Sequence, residues 1–109
     1  MTKGEAIIVI RQWQKYIPKY NMKGLARKNY DLLYSCWAQA VSEELIQEIR
    51  KDEKDDPIQT VRNFWSWMEN ILAYSDDNHT ITHTFASTAE NIARDILLEL
   101  QKEAKHQWV

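Results

Sequence analysis

Residues 56–72, DPIQTVRNFWSWMENIL, read as a helix from the first letter to the last. Asp56 can accept a hydrogen bond from a free backbone amide at the helix start, and Pro57 at the first helical position gives up an N–H that would have no partner there. Gln59, three residues after Asp56, completes a D-x-x-Q cap. Ile58, Val61, Trp65, Met68 and Leu72 then recur at steps of three and four, one stripe of a helix, with Phe64 and Ile71 on its flanks.

The same period runs outward in both directions. Before this segment, KDEKDD at 51–56 contains no apolar residue and reads as a solvated connection. Upstream of it, Tyr30, Leu33, Trp37, Ala40 or Val41, and Leu45 mark a helix over 22–51. Asn29 offers a second start, capping a shorter helix from Tyr30. At the N-terminus Thr2 and Glu5 form the T-x-x-E capping box, and Ala6, Ile10, Trp13 and Ile17 make a stripe widened by Val9, Tyr16 and Tyr20. Pro18 ends that helix, because proline disfavours helical geometry at the residue before it and has no amide to continue the ladder.

Downstream, residues 75–79 read as a loop. Thr80 to Phe85 alternates like a strand, but a lone strand has no partner, and Ile81, Phe85, Thr88, Ile92, Ile96 and Leu100 continue at helical spacing with Leu97 and Leu98 broadening the face. The expected fold is therefore all-α: a small antiparallel four-helix bundle, with helices near 3–17, 22–51, 57–74 and 80–104, in a single domain over 1–109.

Composition narrows the function classes. Cys36 is the only cysteine, so no internal disulfide can form, and a reducing compartment is favoured. Beside Trp37 on the apolar side of its helix, it reads as a buried, inert thiol. The apolar run Ala6–Ile10 is too short for a signal core or a membrane span, so the expectation is a cytoplasmic protein that does not engage a membrane. Gly4 and Gly24 are isolated, which leaves no phosphate-cradling loop, and no base is designated for Cys36. The reading is non-enzymatic, with no cofactor. His79 and His83, four apart, are weak candidates for one metal ion, with Asp76, Asp77 and Glu90 as further ligands; a metal-dependent helical enzyme is the third reading.

The charges are unevenly placed. Residues 1–28 carry seven basic side chains against one acidic, residues 29–56 carry eight acidic against three basic, and the net charge is −2. Arg11, Lys15, Lys19, Tyr20, Lys23, Arg27 and Lys28 form a basic face with interleaved rings, the pattern by which a protein tracks phosphates and stacks bases. That is the alternative function, nucleic-acid binding; against it stand the acidic overall balance and the option of pairing these cations with acidic neighbouring helices.

Five tryptophans complete the picture. Trp13, Trp37 and Trp65 fall on core stripes, whereas Trp67 and Trp108 do not. Trp67 follows Trp65 by two residues and so points about 200° away from it on a helix. Trp67 either packs under the C-terminal tail or against the first helix, or stays exposed and marks a protein interface or a homodimer seam. The leading expectation is a protein–protein interaction module that docks a basic partner. Glu43, Glu44, Glu48, Asp52, Asp55 and Asp56 would steer the partner and Trp67 would anchor it. Inhibitors, immunity proteins, antitoxins and accessory proteins share this small helical composition, a likeness of class alone.

Overall fold

A computed structural model describes residues 1–17, 25–74 and 81–106, with 25–34, 81–83 and 106 given by backbone alone. Within these residues the chain forms four helices and no strand: α1 (Lys3–Gln14), α2 (Leu25–Lys51), α3 (Pro57–Ala73) and α4 (Ile81–His106).

The starts of α1 and α3 follow from their caps. The Thr2 hydroxyl accepts from the Glu5 backbone N–H at 3.1 Å, and the Glu5 carboxylate accepts from the Thr2 N–H at 3.1 Å. Two otherwise free amides are satisfied reciprocally. Replacing Thr2 with alanine removes one arm, and the expected cost is about 1 kcal/mol in denaturant unfolding. A change below experimental error would show that the box adds nothing to the fold.

At α3 the Asp56 carboxylate accepts from the Gln59 N–H at 3.2 Å, with Pro57 at the first position. The expected cap forms, but the Gln59 amide donates forward to Asn63 at 2.9 Å.

Several boundaries differ from the sequence reading. α1 ends at Gln14, not at residue 17, because the Lys15 and Tyr16 amides bond back to Gln12 and Trp13 and tighten the chain into a three-residue turn before Pro18. α2 begins at Leu25, so the shorter helix from Tyr30 does not form; the proposed start at 22 lies outside the described residues. α3 stops at Ala73, with Tyr74 as its C-cap. α4 runs two residues past 104, and the strand-like alternation from residue 81 is absorbed into it.

α1 and α2 are antiparallel. Lys3 reaches Asp52, Arg11 reaches Glu43 and Gln14 reaches Ser42, so advancing along one helix retreats along the other. α2 and α3 are joined by the short connection 52–56 and pinned by the Thr60 hydroxyl donating to Asp52 at 2.9 Å. Across α3 and α4 the Trp65 indole N–H donates to Glu90 at 2.7 Å, the two residues standing at matched distances from their connection, as in an antiparallel hairpin.

The shared core is built from Ala6 and Ile10 of α1, Val41, Leu45, Ile46 and Ile49 of α2, Val61 and Met68 of α3, and Ile92, Ile96 and Leu100 of α4. α4 meets all three other helices, most extensively α3. Ala86, Ala89 and Ala93 supply the small buried surface on α4 that lets neighbouring backbones come close. The one buried polar side chain among the described residues, Ser42, is fully satisfied: its hydroxyl donates to the Ala38 carbonyl at 2.7 Å and accepts from Gln14 at 2.8 Å.

Core expectations are refined at the edges. Trp13, Trp37 and Trp65 are half-buried, and Trp13 and Trp65 pack at the core margin, because an indole is too large to vanish into so thin a core. Ile58, Leu72 and Phe85 are likewise only half-buried. Trp37 sets its ring edge-on to Phe85, with centroids 5.4 Å apart. Tyr16 and Leu98, expected to widen their apolar stripes, are exposed. Of the pair Ala40 and Val41, only Val41 is buried. Cys36 is exposed and not the buried thiol expected, because α2 turns Ala38 rather than Cys36 toward the core. Among the described residues, no helix is long and apolar enough to cross a membrane.

Candidate functional site: an acidic aromatic groove between α2 and α3

α2 and α3 part above their connection to leave a groove of about 590 Å³. Four of the six acidic residues singled out by sequence, Glu44, Glu48, Asp52 and Asp56, line it together with Trp67. Phe64 stands beside Trp67 in an edge-to-face contact with centroids 6.0 Å apart. Lys51 and Lys54 also reach the wall, so four acids meet two bases there. Trp67 is 58% exposed, so neither the C-terminal segment nor α1 covers it among the described residues.

The four acids are not equivalent. Asp52 organises the turn: its carboxylate accepts from the Lys54 N–H at 3.0 Å, the Thr60 hydroxyl at 2.9 Å and the Asp56 N–H at 3.3 Å, while its carbonyl accepts from the Lys3 ammonium. The Lys54 amide first, then the Thr60 hydroxyl, hold the Asp52 carboxyl below its ordinary range. Asp56 caps α3. Glu48 stands 3.9 Å from the Lys51 ammonium, an exposed pair of small value. Among the described residues Glu44 has no cationic partner.

The lowered Asp52 value carries a sign. A carboxylate whose folded pKa is depressed stabilises the fold fully above its unfolded value, about 4, and that stability is lost as pH falls through the folded value. The expected result is an acid limb in stability below about pH 4 that flattens in Asp52→Asn. Parallel acid limbs in the two proteins, followed by urea unfolding at stepped pH, would show that Asp52 is not linked to folding.

Register places Glu44 toward the Trp67 end of the groove. From the Asp52–Thr60 bond, four residues along each antiparallel helix bring Glu48 level with Phe64, and four more bring Glu44 level with Met68, the neighbour of Trp67.

The remaining acids lie elsewhere. Glu43, one residue and about 100° from Glu44, turns to the α1–α2 seam, where it accepts from Arg11, from Gln14 at 3.1 Å and from Gln39 at 3.3 Å. The Arg11 bond first, then Gln14, lower its carboxyl pKa. Asp55 sits in the connection with a left-handed φ of 55°, a conformation aspartate tolerates better than most residues, and does not line the groove. Nothing in the sequence separated Glu43 from Glu44, because which of two adjacent acids meets α1 depends on how the helices pack.

The basic aromatic face is only partly in view. Arg11 is committed to Glu43 and to Gln14, the latter at 3.0 Å, and Lys15 is exposed at the end of α1. Lys19, Tyr20 and Lys23 lie outside the described residues, as do the side chains of Arg27 and Lys28. For the metal reading, His79, Asp76, Asp77 and the His83 side chain lie outside them too, while Glu90 is bonded to Trp65. No group of three potential ligands occurs among the described residues. Trp108 also lies outside them. No family model, curated protein or solved structure matches the chain.

Proposed function

We propose that this chain is a protein-binding module that docks a basic partner through the α2–α3 groove, without catalysis of its own. The observation that carries the reading is Trp67: a 58% exposed indole set against Phe64 in a groove whose lining is acidic on balance. Large exposed aromatics with a polar rim are what anchor residues of interfaces look like before the partner arrives, and an acidic surround selects and steers positive surfaces. Glu44 and Glu48 are the steering groups in this reading; Asp52 and Asp56 shape the groove by holding its floor. Glu43 and Asp55 drop out of the docking surface. An inhibitor, immunity-type, antitoxin-like or accessory role in the cytoplasm is the finer form of the same proposal.

Affinity capture from the source cell, with and without nuclease and with Trp67→Ala alongside, tests it. The expected result is one stoichiometric protein that survives nuclease and is lost from the variant. Recovery of nucleic acid, with proteins lost on digestion, would overturn the reading in favour of the basic N-terminal face. Recovery of the chain alone, as a dimer through Trp67, would replace the basic partner with a second copy.

A further inference from the structure

Two kinds of attraction for a cation meet at one level of the groove. The Trp67 ring is open, and Glu44, level with its neighbour Met68, is a carboxylate without a cation among the described residues. A ring face attracts positive charge through its quadrupole, and a carboxylate attracts it directly. The other end of the groove is less receptive, because Asp52 and Asp56 are engaged in the turn and the cap, and Lys51 and Lys54 stand beside them. Incoming cations are thus directed to the Trp67 end.

A guanidinium suits both partners at once. It is planar and weakly hydrated, so it stacks on an indole while its in-plane N–H groups donate to a carboxylate. An ammonium is a strongly hydrated point charge and cannot stack in this way. The groove wall from Glu44 to Asp52 is about 12 Å long, enough for a few residues of a partner and not for a whole helix face. Building on the docking role proposed for this groove, we infer that its occupant is an arginine side chain on a short segment of the partner protein, stacked on Trp67 and hydrogen-bonded to Glu44.

The test uses the whole chain, labelled with ¹⁵N, and two six-residue peptides of equal charge, acetyl-Ala-Ala-Arg-Ala-Arg-Ala amide and its lysine counterpart. The five indole N–H signals report binding, with the Trp67 signal assigned from Trp67→Phe. The arginine peptide is expected to move the Trp67 signal and to bind roughly threefold tighter than the lysine peptide. Glu44→Gln should weaken the arginine peptide and largely erase the preference. Glu43→Gln, the same charge change on the α1–α2 seam, should leave both intact. Equal affinity of the two peptides, an unmoved Trp67 signal, or equal effects of the two glutamine variants would overturn the inference. If the peptides are not distinguished while Trp67→Ala still loses a captured protein, the arginine assignment falls and the docking role stands. If Trp67→Ala loses no captured protein, the docking role itself falls.

Discussion

Leu45→Ala should destabilise the protein by about 2–5 kcal/mol, enough to lower the melting temperature by on the order of 10–30 °C. Leu45 is fully buried on α2, in the cluster that α1, α3 and α4 all enter. Truncation removes three heavy atoms' worth of apolar burial and leaves a cavity that a close-packed helical core closes only in part. Against a total stability of about 5–15 kcal/mol, that is a large fraction. Leu98→Ala is the internal control. The same chemical change at a side chain 51% exposed on α4 should fall within about 0.5 kcal/mol. Equal losses at the two leucines in matched urea titrations would mean that the helix faces are assigned wrongly.

Trp67→Ala should do the reverse. Its indole is mostly in water, and the fold loses chiefly the edge-to-face contact with Phe64, about 0.5–1.5 kcal/mol. Partner affinity should fall by about 2 kcal/mol or more, roughly thirtyfold. Trp65→Ala offers the contrast. It breaks the bond to Glu90 and opens the α3–α4 contact, so its main effect should be on stability. The measurement is a pair of titrations for each variant, one by denaturant and one by calorimetry with the captured partner. Unchanged affinity in Trp67→Ala would remove the anchor from the proposed interface.

The two tryptophans show how far the sequence could be read. The angle between the two rings was legible from their separation by two residues, since helical geometry alone fixes it; that Trp65 is half-buried and Trp67 exposed was decided by packing. The caps at Thr2 and Asp56 were equally legible, because the bonds span only three residues. Long-range choices were not. Ala86, Ala89 and Ala93 carry little hydrophobic signal, so a stripe drawn through large residues passed beside the small-residue surface α4 buries. Leu98 carries a strong signal and is exposed all the same.

The site divides along the same line. That Glu44, Glu48, Asp52, Asp56 and Trp67 gather in one groove follows from the short 52–56 connection, which folds α3 back along α2. That Glu43 belongs to Arg11 follows from the packing of α1, separated from it by some thirty residues. Local geometry identified the acidic segment; tertiary packing decided which of its members line the groove.

The association rate of the captured partner, measured from low to high ionic strength, bears most directly on the acidic groove as docking surface. A steered encounter predicts a rate that falls by about tenfold or more, with the dependence reduced when Glu44 and Glu48 are changed together to glutamine. A rate that stays flat across the range would contradict the account.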